Sequence, residues 1–168
     1  MTKKILTTMI VIVSFIITGC TSEINKPISQ IESYIVNNCK LDGMVKGDGK
    51  SLRRFYGINP NDLEGFTIYT PKSNMDVDEM LIVKVKDSSQ IETIEESIDD
   101  RVNKQIENFN GYGAEQVALL ENYEIKIKDK YVKYLSNDEY CSIIPWEALS
   151  TIIDDGLLIQ DEKIIAGH

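Results

Sequence analysis

The sequence predicts one α+β domain, a mainly antiparallel sheet of about four strands with a long amphipathic helix across one face. Three observations carry that expectation. Residues 88–109 set Ile91, Ile94, Ile98, Val102, Ile106 and Phe109 at steps of three and four, the repeat of a single helix face. Around this helix lie short β-rich runs, Phe66–Tyr69, Met80–Lys86, Tyr123–Lys128 and Tyr131–Leu135, separated by turn residues. Beyond residue 19 there remain 149 of the 168 residues, enough for one ordinary core without a second domain.

The chain opens with Lys3 and Lys4, an apolar run from Ile5 to Ile17 interrupted by Thr7, Thr8 and Ser14, and then Thr18-Gly19-Cys20. A charged start, an apolar stretch and small residues before a cysteine make a secretory signal with a processing site. These residues resemble the lipobox of bacterial lipoproteins, which implies cleavage after Gly19 and a diacylglyceryl group on Cys20. The chain then divides into a signal peptide (1–19), a lipidated cysteine with its tether (20–26) and one domain (27–168). The expected address is the extracytoplasmic face of the cell membrane, held through lipid. From Ile5 to Thr18 there are 14 residues, short of the roughly 20 that a membrane-crossing helix needs. Two acyl chains anchor stably where one does not, at about 0.8 kcal/mol per buried methylene.

Removal of residues 1–19 takes the formal charge from −9 to −11. A surface of that sign argues against binding nucleic acid through its phosphates and gains nothing overall from anionic headgroups. Charge alone favours basic peptides or metal cations. With Cys20 assigned to lipid, Cys39 and Cys141 are left as an even pair in an exported chain. They are either a disulfide closing a loop of about 100 residues, contributing on the order of 4 kcal/mol, or two buried thiols acting as small apolar groups.

Pro27 followed by Ile28, Ile31 and Ile35 predicts a helix to about Asn38. Asp42–Lys50 holds three glycines and reads as a surface loop. Its Gly43, Gly49, Lys50 and Ser51 imitate a phosphate-cradling loop, but five residues stand between the glycines where four are needed, and no strand is evident before it. Nucleotide binding is not expected. Ser51–Tyr56 predicts a short helix ended by Gly57.

In the run Met80–Lys86, Leu81, Val83 and Val85 are expected to face the core, and Met80, Ile82, Lys84 and Lys86 a partly wet side. The preceding Asn74–Glu79 alternates oxygen ligands like the start of a calcium loop, yet Glu79 stands where such a loop needs glycine. A solvated connection is the simpler reading, and no metal site is assigned. Asp87 and Gln90 have the spacing of a capping box for the long helix. On that helix Gln105 falls inside the apolar stripe and is expected to bond the backbone around Gly111 and Gly113. Arg101, at the stripe's edge, has no acid on its own helix within reach. Its partner is therefore Asp78, Glu79 or another acid of the core rim, or else an anionic ligand. Ala114–Asn122 predicts a second short helix, and Asp129-Lys130 a two-residue hairpin. Pro145–Asp155 predicts a last helix with Trp146, Leu149, Ile152 and Ile153 inward, followed by short strands within 157–165.

From Val77 onward the chain resembles a family of clostridial-type lipoproteins that carry domain of unknown function 4358. The resemblance rests on Val77-Asp78-Glu79, Lys84-Val85-Lys86-Asp87, Arg101, Gln105, Phe109, Tyr112, Glu115-Gln116 and Leu119-Leu120, with Phe55-Tyr56-Gly57-Ile58 upstream. The Asp129-Lys130 turn departs from it, since the family has glycine there. The resemblance implies a lipoprotein and a shared domain; it implies no activity, ligand or catalytic residue.

Histidine occurs once, as His168 at the terminus, so neither a histidine-based nucleophile nor a zinc site is expected, and no cofactor or catalytic residue is assigned. The leading expectation is a non-catalytic binding or interaction module that binds another envelope component, an envelope protein among the candidates, or assists its assembly. An alternative is a receptor that reads a small anion with Arg101, Gln105 and Tyr112. A third is a glycan-cleaving enzyme using two carboxylates in unlike environments. A receptor exposes Arg101 in a concavity, and an interaction module buries it.

Overall fold

The computed structural model describes residues 25–136. Its helices are α1 (Ile28–Asn38), α2 (Gly49–Tyr56), α3 (Ile91–Phe109) and α4 (Ala114–Leu120). Its strands are β1 (Met44–Lys46), β2 (Leu63–Pro71), β3 (Met80–Val85), β4 (Glu124–Lys128) and β5 (Tyr131–Leu135). They form one five-stranded sheet in the order β1-β2-β3-β5-β4, with every neighbouring pair antiparallel. The class is α+β as predicted. The strand beyond the expected number is β1, which lies inside the glycine-containing stretch read as a loop and pairs Val45 with Thr70 of β2.

The sheet has helices on both faces. On one face α2, α3 and α4 bury Leu52, Leu81, Val83, Val85, Ile98, Val102, Leu120 and Tyr134 in a common core. On the other, α1 applies Ile28, Ile31 and Ile35 to Tyr69, Met80 and Ile82. The side of β3 expected to be partly wet is therefore dry, because α1 lies on it: Met80, Ile82 and Lys84 are all buried, and only Lys86 is exposed. Burying Lys84 demands compensation. Its ammonium lies 2.6 Å from Glu64 Oε2, meets the Asn25 side-chain oxygen and stands over the Tyr131 ring.

Local signals set the element ends. Asp48 caps α2, its side chain accepting from the Lys50 and Ser51 N–H groups, and Gly57 closes that helix at φ 69°. Asp87 and Gln90 form the expected capping box, at a 3₁₀ turn (Ser88–Gln90) that leads into α3. In the β4–β5 hairpin, Asp129 adopts φ 50°, supplying the left-handed residue for which the turn has no glycine. The signal sequence, Cys20, Cys141, the 145–155 helix and the 157–165 strands lie outside the described residues.

Candidate functional site

The most heavily invested group in the described residues is the Glu79 carboxylate. Loop residues 72–79 connect β2 to β3, and the stretch read as a solvated connection goes under at its end: Val77, Asp78 and Glu79 are buried. Asp76 starts the descent by accepting from the Val77 and Asp78 N–H groups. The backbone of Glu79 is then fixed to the end of β5. Its N–H donates to Ser136 Oγ at 2.6 Å, and its C=O accepts from the Ser136 N–H at 3.0 Å.

The side chain points into the core between α2 and α3. Arg101 donates to Glu79 Oε2 from Nε at 3.2 Å and from a terminal nitrogen at 3.0 Å, and Gln105 Nε2 donates to the same oxygen at 3.2 Å. Tyr56 Oη, from the last residue of α2, donates to Oε1 at 2.9 Å. The Arg101 guanidinium also lies over the Phe55 ring, 4.6 Å from its centroid. Tyr134 meets Tyr56 edge-on at 6.2 Å between centroids, so a second phenol adjoins the cluster.

Burial pushes the Glu79 carboxyl above its ordinary value, and the Arg101 charge with the donated hydrogen bonds opposes that rise without cancelling it. The Tyr56 phenol is pushed well up by burial and then by the Glu79 charge. Tyr134 moves the same way, again chiefly through burial. The Glu79 side chain has 0% relative exposure and that of Arg101 16%. No substrate reaches a carboxylate in that position, so the raised Glu79 carboxyl is unsuited to acting as a proton donor to a glycan despite its shift.

The structure thus resolves the Arg101 alternatives in favour of Glu79. Gln105 is buried as its place in the stripe requires, but it serves the same carboxylate, not the Gly111–Gly113 turn. The carboxylate is the stronger acceptor, and α3 carries Arg101 and Gln105 past it one turn apart. Tyr112 stands apart from both: it is exposed, and its ring packs on Phe109 at 5.6 Å. Nothing in the local sequence marks Tyr56, Tyr134 or Ser136 as members of the cluster. No periodicity brings them together: the β3–β5 register, with Leu81 opposite Tyr134 and Met80 opposite Leu135, places Tyr134 and Ser136, and the packing of α2 on the sheet brings Tyr56 to the same carboxylate.

Cys39, just beyond α1, is disulfide-bonded. Among the described residues no group of three or more His, Cys, Asp or Glu side chains is placed to hold a metal ion, and no helix is long and apolar enough to cross a membrane. A shallow groove of about 630 Å³ runs between α1 and β2, lined by residues that include Ile28, Glu32, Glu64, Phe66 and Lys84. It lies on the opposite face of the sheet from Glu79, and its charged groups are paired, Lys84 with Glu64 and Glu32 with Lys46.

Among curated proteins and among solved structures, none matches this chain. A family model described as domain of unknown function (DUF4358) matches residues 37–137, a span that contains α2, the whole sheet, α3, α4 and every member of the Glu79 cluster. The chain belongs to the DUF4358 family.

Proposed function

We propose that this protein is a lipid-anchored lipoprotein at the extracytoplasmic face of the cell membrane, carrying a non-catalytic module that binds another envelope protein. The observation that carries the binding half is the closure of the Glu79 cluster. The Arg101 fork and the Gln105 amide, which a receptor for a small anion turns toward its ligand, are spent on an internal carboxylate. The address rests on the charged, apolar and small-residue pattern that ends at Cys20.

The address is tested by growing cells that make the full chain with an alkyne-bearing fatty acid. Label on the protein and its presence in the membrane fraction are expected, with both lost in Cys20→Ala. An unlabelled, uncleaved chain in the soluble fraction overturns the lipoprotein reading. The module reading is tested separately by adding phosphate, sulfate, acetate or amino acids to the protein and following its thermal midpoint. No shift is expected; a saturable rise that Arg101→Lys weakens restores the receptor.

A further inference from the structure

We infer that Met75 and Tyr112 form one docking surface, at the end of the domain opposite the chain's N-terminal tether, for a basic protein partner that receives these two side chains against an apolar patch of its own. The inference rests on the module reading above and concerns where and what that module binds.

Met75 and Tyr112 are the two most exposed large apolar side chains among the described residues, at 61% and 66% of their full accessible area. Isolated exposed apolar groups are ordinary. The loops that carry these two are neighbours. Tyr112 leads into Gly113 and α4, whose Gln116 reaches across to donate to the Met75 carbonyl at 3.4 Å. Gly113 makes that turn possible, since a Cβ there would stand 2.6 Å from the Phe109 ring and 3.0 Å from Gln116 Oε1.

Both supports are fixed from below. Tyr112 is held by its contact with Phe109, and Ser73 Oγ accepts from the Met75 N–H. A few residues on, Glu79 locks loop and helix together through Arg101 and Gln105. The buried cluster thereby acts as a positioning device for two loop tips. A tyrosine and a methionine presented rigidly are what protein interfaces use as anchors.

Charge and placement define the occupant. Asp76 adjoins Met75, and exposed Glu115 adjoins Gln116. Asp42 lies at the same end, since the β1 approach at Gly43 comes within 4.0 Å of Asp76 Oδ2 when a Cβ is placed there. Lys72 is turned onto the Asp42 carbonyl. An acidic rim around apolar tips fits a basic surface with apolar side chains. The chain meanwhile enters at the far end of β3 and β5: the Lys26 N–H donates to Tyr131 Oη at 2.8 Å, and Tyr131 pairs with Lys84. Attachment through a tether leaving at Lys26 leaves the tips at the end of the domain farthest from it.

The test is photo-crosslinking of the full chain in its own cells, with p-benzoylphenylalanine in place of Met75, Tyr112 or, as control, Ile127 on β4. The expected result is one and the same basic protein joined at positions 75 and 112 and not at 127. Asp76→Asn with Glu115→Gln, which keeps the backbone bonds of Asp76, lowers the yield several-fold, and Tyr112→Ser abolishes it at position 75. Crosslinks to lipid, to a second copy or to residues 137–168, an acidic partner, or no product at 75 and 112 all overturn the inference. A partner joined only at 127 overturns this surface while leaving the module reading intact.

Discussion

Arg101 and Glu79 form an ion pair at 3.0 Å in which the acid is wholly buried and the base partly so. The two arrive from different elements, the guanidinium from the middle of α3 and the carboxylate from the step into β3. Such a pair specifies an arrangement more than it adds stability, because desolvation offsets most of the attraction. Breaking it is another matter, since one charge is left stranded.

Arg101→Met is accordingly expected to destabilise the domain by about 3–5 kcal/mol, the usual cost of an orphaned buried charge. Glu79→Gln in the same chain is expected to recover a large part of that loss, because the amide keeps a hydrogen-bonding side chain without the charge. Urea unfolding of the two single variants and the double variant reads the coupling directly. Simple additivity of the single effects refutes it.

The pH dependence of stability carries a signature of opposite sign from that of ordinary acid denaturation. Glu79 has its carboxyl raised above 4.5 in the folded chain. The folded state therefore holds its proton more tightly, and this group's contribution is fully present below 4.5 and lost as pH rises through the folded value. Asp48 is lowered chiefly by the Ser51 N–H it caps, and Asp87 by the Ser89 hydroxyl and then the Ser89 N–H, so their contributions are present above their ordinary value and lost as pH falls. Replacing Glu79 with Gln is expected to remove the decline above 4.5 and leave the acid limb in place. Denaturation midpoints measured from pH 4 to 8 test this; an unchanged slope in Glu79→Gln contradicts it.

Lys84 offers a contrast. Its partner Glu64 keeps 36% side-chain exposure, so losing the lysine strands no buried charge. Lys84→Met retains the volume over Tyr131 and is expected to change stability by less than about 1.5 kcal/mol, in either direction. Lys84→Ala is expected to cost more by opening a void against α1. Thermal unfolding of the two variants separates charge from volume, and equal effects reject the distinction.

Gly57 ends α2 in the left-handed region, and the space a Cβ would occupy there has no neighbour within 4 Å. Gly57→Ala is therefore a purely conformational change, expected to cost about 1–2 kcal/mol, with Gly57→Asn costing less. Equal losses for the two substitutions would show a steric origin instead.

Cys39 is disulfide-bonded, and with Cys20 assigned to lipid the sequence offers Cys141 as its partner. A non-reducing digest should yield the two peptides joined, and reduction should lower stability by about 4 kcal/mol for a loop of roughly 100 residues. Linkage of Cys39 to any other thiol refutes the pairing.

Where a single helix or strand controls burial, the residues made the outcome readable. The stripe of α3, the α2 stop at Gly57, the α1 start after Pro27 and the hairpin at Asp129-Lys130 all follow from local spacing. The errors share another cause: each depended on a neighbour from elsewhere in the chain. Strand β1 is only three residues long and contains one buried residue, Met44, too short to show alternation. Met80, Ile82 and Lys84 are dry because α1 lies over them, and amphipathicity alone does not say which sheet face a helix takes. For the candidate site, the composition of α3 showed that Arg101 needed an outside acid, and the acid stretch before β3 supplied the candidates. That Gln105, Tyr56 and Tyr134 converge on the same point is a property of tertiary register.

The borders of the sheet bear on how this molecule behaves in company. Among the described residues one border is β1, three residues long; the other, β4, alternates Ile125 and Ile127 with Glu124, Lys126 and Lys128. So little exposed backbone, guarded by charge, gives a neighbouring copy almost nothing to extend. At close quarters the described edges are thereby guarded against zipping copies together into fibrils.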